Sequence, residues 1–399
     1  MTTRVAITGI GIVSPFGRGK AALAEALRAA RSGVRTITSI DTSTLNCRIA
    51  GEVPGDAHEG QHRGHDRFTR FALIAAEEAT AQAGDLGVDP HRYGVLLGTG
   101  LGGCETLDNS YRRFYRDSAR IAPMSIPMTM YNAASSAVST KLGAKGLAYS
   151  VVSACASSAH AIGLAAQAIR AGQADVVLAG GSDAPLTPGI ISAWESLRVL
   201  AIDNEHPEEA CRPFSADRKG LVLAEGAAVL VLETWDHAQA RGAEILGEIA
   251  GFGATSDAGH ITDPSADGAA RAMDLALRDA GMTPPDIGYI NAHGTGTRAN
   301  DATETAAIKA VFGTDTPPVS STKSMHGHAM GASGAIEIVA SLVALREGFL
   351  PPTINLETPD PECDLDYIAN EPREARAGSF LSNSFGFGGM NAVVAIRVP

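Results

Sequence analysis

Long apolar runs are missing from this chain of 399 residues: no 18 consecutive apolar residues occur, so nothing is expected to span a bilayer. Aromatic residues make up only 5%, which predicts close packing of small side chains and backbone. Cysteine is scarce too. Cys47, Cys104, Cys155, Cys211 and Cys363 are odd in number and scattered, with no Cys-x-x-Cys. Neither a disulfide framework nor a structural zinc site is expected, and a reducing cytoplasm suits the chain. Basic residues, 32 against 44 acidic ones, leave a net charge of −12. That argues against a nucleic-acid protein, whose footprint is a broad basic face, and disfavours anionic membrane. The opening MTTRVAITGIGIVSP lacks the basic region, apolar region and cleavage site of a secretory signal; it reads as a first strand.

What is present is a large core. Hydrophobic residues reach 45%, charged residues only 19%, and glycine is abundant at 44. The length suits two or three domains or one large α/β unit. Residues 4–9 read as a buried strand, and 66–84 as an amphipathic helix stopped by Gly84. Tyr93–Leu97, Asp175–Leu178 and Ala227–Leu232 read as further strands buried on both faces. This alternation predicts parallel strands with helices covering the sheets. Segments 154–172 and 330–348 match at seven of nineteen positions. Ala83-Gly84…Tyr93…Gly98-Thr-Gly similarly parallels Ala280-Gly281…Tyr289…Gly294-Thr-Gly. Two segments repeating in the same order point to a duplicated α/β architecture. Segment 201–226 is polar and turn-rich and reads as a surface connection. Segment 56–66, with His58, His62 and His65, reads as a solvated loop rather than a metal site.

Four segments carry chemistry. In SACASSAH, Cys155 stands at the first turn of a small, apolar helix. Helix-end amides and the positive end of the dipole favour thiolate there and could hold an oxyanion; a buried structural cysteine is the alternative. In NAHGTGT, His293 follows a strand and enters a Gly/Thr loop, with Asn300 or Asp301 capping the next helix. In STKSMHGHAMGASGAIE, Lys323 and Glu337 flank His326 and His328 and could tune them. Glu337 lies in an apolar helix, where pairing with Lys323 would offset the cost of burial, unless it sits on an exposed stripe. In NSFGFGGMN, Gly386, Gly388 and Gly389 imply unusual dihedrals and a hinge or backbone donor site.

Taken together, these segments resemble the thiolase-like condensing-enzyme family, specifically the elongating β-ketoacyl-[acyl-carrier-protein] synthase branch. The resemblance runs from VAITGIGIVSPFG to the last strand. It implies a duplicated five-layer αβαβα fold, usually dimeric, with halves at 1–243 (carrying the cysteine) and 244–399 (carrying both histidines and the Gly-rich gate). By resemblance, Cys155 takes the acyl chain, and His293 and His328 bind the malonyl thioester carbonyl and promote decarboxylation. Lys323 and Glu337 would support His328. The amides of Cys155 and Phe387 would form an oxyanion hole, with Phe387 also gating access beside Phe385, Gly386 and Gly388. Thr295 and Thr297 would contact phosphopantetheine. Gly100–Leu107, including Cys104, and Tyr131–Ala134 would line an acyl tunnel.

No metal or organic cofactor is expected; substrates ride on the phosphopantetheine of an acyl carrier protein. That acidic partner would need a basic patch, from Arg63, Arg67 and Arg70 or from Arg112, Arg113 and Arg116. The second partner is another copy of the chain or a chain-length-factor homologue. The absence of cysteine from the C-terminal Gly-rich loop disfavours a CoA-dependent thiolase. His328 in place of asparagine disfavours the CoA-primed initiating branch. The loop NAHGTGTRANDATE resembles polyketide and aryl-polyene ketosynthases.

Overall fold

The computed structural model describes residues 3–399. Ten strands form its framework: β1 (Val5–Ser14), β2 (Tyr93–Gly98), β3 (Ala148–Val151), β4 (Val176–Asp183), β5 (Gly226–Thr234), β6 (Gly247–Ser256), β7 (Ile290–Asn291), β8 (Val319–Ser320), β9 (Ser379–Gly386) and β10 (Met390–Arg397). The main helices are α1 (Arg67–Ala83), α2 (Cys104–Tyr115), α3 (Ala133–Leu142), α4 (Ser157–Arg170), α5 (Pro188–Leu197), α6 (Ala266–Ala280), α7 (Arg298–Phe312) and α8 (Ser333–Arg346).

Strand order makes the duplication explicit. One half runs β3-β2-β4-β5-β1 and the other β8-β7-β9-β10-β6, so each strand has a counterpart at the same place. The two sheets meet where β1 pairs β6 at Ala6–Glu248 and Ile7–Gly247. Helices α4 and α8 lie side by side between them; α1 and α3 cover one outer face, α6 and α7 the other. The repeated segments 154–172 and 330–348 contain α4 and α8. Both helices are buried along most of their length, and every residue of α8 from Ser333 to Leu345 is buried. Glu337 is therefore interior, not on an exposed stripe.

Glycine and the shortage of aromatics serve the same packing. A Cβ on Gly9 or Gly11 of β1 would lie 2.1 or 2.0 Å from a carbonyl oxygen of α1. On Gly251 or Gly253 of β6 it would lie 2.2 or 2.0 Å from one of α6. Each Gly-x-Gly pair thus lets an alanine-rich helix rest directly on its strand.

Three expectations are corrected. The strands are not all parallel: β2 pairs β3 and β4 in parallel, and β7 pairs β8 and β9 in parallel. The interior pairs β4–β5, β5–β1, β9–β10 and β10–β6 are antiparallel. Strands buried on both faces have the same continuous apolar pattern in either direction, so alternation could not separate the two. Segment 201–226 is exposed mainly at 202–209. From Ala210 onward it is largely core, with Phe214 and Glu225 at 0% exposure and Arg218 at 2%. Arg218 is drawn inside by Asp301 and Asp360. His58 is buried against Phe71, ring centroids 5.3 Å apart, and burial lowers its pKa to about 4.

Candidate active site

Cys155 sits two residues before α4, on a turn whose preceding residue, Ala154, has φ +50°. A left-handed alanine is costly and needs fixing from outside. Ser157 supplies this: its hydroxyl donates to the Ala154 carbonyl (2.6 Å) and accepts from the Ser153 amide (2.9 Å). The C-terminal Gly-rich loop closes over the same turn. A Cβ on Gly386 would lie 2.8 Å from the Ser153 oxygen and 3.2 Å from the Cys155 nitrogen. Gly386 is thus required for close approach, whereas Gly388 (φ +85°) and Gly389 (φ +71°) supply the unusual dihedrals. Phe387, next in this loop, lines the same cavity as Cys155.

His293 and His328 arrive from the other half. Their ring centroids are 5.4 Å apart, edge to face. One ligand atom from each ring and the Cys155 sulfur all lie within 4.8 Å of one another. His293 is held by Glu304 of α7, whose carboxylate accepts from the His293 and Gly294 amides, both at 2.8 Å. Asn383 donates to the same carboxylate at 3.1 Å. Lys323 donates to the His293 carbonyl (2.6 Å), lies 3.2 Å from its Nδ1, and pairs with Glu337. Lys323 and Glu337 therefore support His293, not His328 as expected. His328 instead donates its amide to Val222 (2.7 Å), and its Nδ1 meets the Ser333 hydroxyl at 2.8 Å.

Burial decides the charge states. Both imidazoles are held well below their ordinary pKa by desolvation, with the Lys323 charge adding to it, so both are neutral at pH 7. Burial also pushes the Glu337 carboxyl up to about 7, against the pull of Lys323. At Cys155 burial outweighs the Lys323 charge and the Phe387 amide and raises the thiol to about 11. This corrects the expectation of a resting thiolate. Alkylation of Cys155 by iodoacetamide should therefore accelerate about tenfold per pH unit from 7 to 10. A rate plateau at or below pH 7, followed by mass spectrometry, would contradict the thiol state.

The three reacting groups line a cavity of about 190 Å³ together with Thr295, Thr297, Phe385, Gly386 and Phe387. Thr295 and Thr297 share a hydrogen bond at 2.9 Å. Thr297 itself is the residue before α7; Asn300 and Asp301 lie inside the helix, and Asp301 turns back to the Phe214 and Gly296 amides. Cys104 does not reach the cavity, because its thiol donates to the Ala184 carbonyl at 3.1 Å. Tyr131–Ala134 also lie outside it. At the cavity wall Phe387 stacks on Trp194, centroids 5.7 Å apart. Of the two arginine clusters, Arg67 is bound to buried Glu225 and Arg70 to Glu105 while Arg63 is exposed; Arg112, Arg113 and Arg116 are all exposed, Arg112 lying 3.5 Å from Asp108.

Sequence reasoning passed over Glu304, Ser333 and Trp194. Glu304 had a signal: with Asp301, Thr305 and Ile308 it falls on one face of α7, which is the buried one. An acidic residue on a buried helix face marks a backbone anchor or a charge partner.

A sulfur and two imidazoles could also hold a soft divalent ion. The ring atom of each histidine facing the cavity is Nε2, because both Nδ1 atoms are engaged. On His293 that Nδ1 faces an ammonium, which has no lone pair, so Nδ1 accepts and Nε2 carries the proton. A protonated nitrogen does not ligate. The set instead offers a nucleophile beside an N–H donor. A soft nucleophile, neutral imidazoles and backbone amides converging in a buried cavity of a duplicated αβαβα fold define a thioester-condensing acyltransferase. Residues 2–238 match the family described as beta-ketoacyl synthase, N-terminal domain, and residues 246–357 its C-terminal domain. The chain belongs to the beta-ketoacyl synthase family. It is 47% identical to nodulation protein E of Rhizobium leguminosarum bv. trifolii, covering 100% of both chains. It is 43% identical to 3-oxoacyl-[acyl-carrier-protein] synthase 2 of Synechocystis sp., covering 99% of this chain and 98% of that one. Among solved structures, the ishigamide ketosynthase/chain length factor superposes with a TM-score of 0.94 at 34% identity over 100% of both chains. A type II polyketide ketosynthase bound to its hexaketide and acyl-carrier protein gives 0.93 at 35%, also over 100% of both.

Proposed function

We propose that the protein joins an acyl group to malonyl-acyl-carrier protein by decarboxylative condensation. The observation that carries this is the convergence of Cys155, His293 and His328 within 4.8 Å. In the first half-reaction the Cys155 sulfur attacks the acyl thioester carbonyl. The oxygen develops negative charge against the Cys155 and Phe387 amides. The C–S bond to the carrier breaks, and the carrier thiol leaves with the proton of the cysteine. In the second, the malonyl thioester oxygen accepts from the imidazole N–H groups. The carboxylate leaves as carbon dioxide, and its electron pair forms an enolate stabilised by those donors. The enolate carbon attacks the acyl–Cys155 carbonyl, forming the C–C bond and expelling the cysteine sulfur, which takes up one proton from solvent, the proton that decarboxylative condensation consumes overall. Burial keeps water from the carbanion.

Thr295 and Thr297 at the cavity wall suit the amide-rich phosphopantetheine arm, so no resident cofactor is required. The division into halves near residues 243 and 244 puts the nucleophile on one half and both imidazoles on the other. The partners proposed are an acidic carrier protein and a second chain, identical or homologous. Tyr111, Phe114, Tyr115, Ile126 and Tyr149 are exposed, and β3 is an unpaired sheet edge. A second copy would cover such an edge. No helix is long and apolar enough to cross a membrane among the described residues; the cytoplasm is the proposed compartment.

The test is intact-protein mass spectrometry with a panel of acyl carriers, together with carbon dioxide release from malonyl carrier. An acyl adduct on Cys155 and a 3-oxoacyl product support the reading. Turnover of acetyl-CoA without carbon dioxide release would replace it with the thiolase reaction. The Phe387–Trp194 stack makes a second prediction. Trp194→Ala removes the surface that holds Phe387 in place, so long acyl carriers should acylate Cys155 faster relative to acetyl carrier. An unchanged ratio of the two rates would show that the stack is not the barrier.

A further inference from the structure

Lys323 fixes the tautomer of His293, but neither of the two makes a hydrogen bond to the ring of His328. What orients it is a serine at the first position of α8. The His328 Nδ1–Ser333 Oγ separation is 2.8 Å, with His328 1% exposed and Ser333 fully buried. The serine hydroxyl has no other hydrogen-bond partner among the described residues. Its proton therefore goes to Nδ1, which leaves the proton of the neutral ring on Nε2. That Nε2 is buried, has no partner among the described residues, and belongs to a residue lining the cavity. A buried donor left without an acceptor is costly unless a ligand completes it.

The duplication supports the same reading. Ser157 and Ser333 occupy matching positions, each the first residue of α4 or α8. Ser157 fixes the turn that carries Cys155. Its counterpart holds the second imidazole. One structural device has been used twice, once per half, to orient a different reactive group.

We infer that Ser333 is a positioning residue of the decarboxylation step: by donating to Nδ1 it fixes His328 as the Nε2–H tautomer and aims that N–H at the malonyl thioester oxygen. This rests on the condensation reading above. It separates the two half-reactions, because acyl transfer draws on the Cys155 and Phe387 amides while decarboxylation draws on the imidazoles.

The experiment uses the full-length protein and its Ser333→Ala and Ser333→Thr variants. Decarboxylation of malonyl carrier and acylation of Cys155 are measured separately. ¹⁵N-labelled histidine spectra identify the His328 tautomer by its loss in His328→Ala. For Ser333→Ala, decarboxylation should fall about 10- to 100-fold. Cys155 acylation should persist, and the His328 signal should move away from the pure Nε2–H form. Ser333→Thr, which retains the hydroxyl, should recover tautomer and rate. A normal decarboxylation rate or unchanged tautomer in Ser333→Ala would overturn the inference. So would equal loss of both half-reactions, which marks a packing role. If threonine does not fold at this buried site, the alanine variant's two rates and spectrum still decide the question. A wild-type protein that performs neither half-reaction would instead refute the condensation reading.

Discussion

Cys155→Ala is expected to abolish condensation while leaving decarboxylation of malonyl carrier measurable. The sulfur is the sole thiol in the cavity among the described residues: the four remaining cysteines are buried outside it. Losing it removes the covalent step altogether, a fall of about 10⁴-fold or more in product formation. The donors for the enolate are untouched, because the His293 and His328 rings are held by Lys323 and Ser333 rather than by Cys155. Intact mass should show no acyl adduct, and carbon dioxide should still appear. An adduct on the variant would move the nucleophile elsewhere. Loss of carbon dioxide release in a folded variant would couple the two steps more tightly than the geometry implies.

How far the sequence alone reaches can be judged at particular residues. The run from Ala154 to Ile169 is almost entirely small or apolar, which is enough to predict a helix buried in the centre of the molecule. The pairing of Glu337 with Lys323 follows from the cost of an unpaired carboxylate in an apolar helix. Both are local statements about burial, and burial leaves a strong mark on composition. The partner of His328 was not legible, because Lys323 and Ser333 are both near it in the chain and only the path of the backbone decides which touches the ring. The thiol state was misread for a related reason. The helix-end amides are visible in sequence, but the depth of the cavity around Cys155 is not, and depth determines the sign of the shift. Strand direction failed because strands buried on both faces read alike in either direction, whether the antiparallel neighbour follows by a tight hairpin, as β10 follows β9, or by a long connection, as β5 follows β4.

Lys323 concentrates the largest combined effect on stability and chemistry. It is fully buried, and its partners are the Glu337 carboxylate, the His293 carbonyl and the His293 ring. Lys323→Met keeps the volume and removes the charge. Glu337 is then a buried carboxylate without a cation, which costs about 3–5 kcal/mol. Burial already pushes that carboxyl up to about 7, and removing Lys323 removes the influence that lowers it. The variant should therefore melt well below the wild type at pH 8 and recover part of the difference at pH 5.5, where Glu337 is neutral. The sign follows from linkage: a carboxyl whose folded pKa is raised binds its proton more readily in the folded state, so acid favours the fold. Adding Glu337→Gln should restore most of the melting temperature at both pH values, since no uncompensated charge remains. Activity should not return with stability. Without the ammonium, Nδ1 of His293 no longer faces an obligatory donor, and the ring is free to lose its Nε2 proton to the other tautomer. Decarboxylation should stay about 100-fold or more below wild type in the double variant. Recovery of turnover together with stability would mean that Lys323 only balances a charge, and that the His293 tautomer is set by something else.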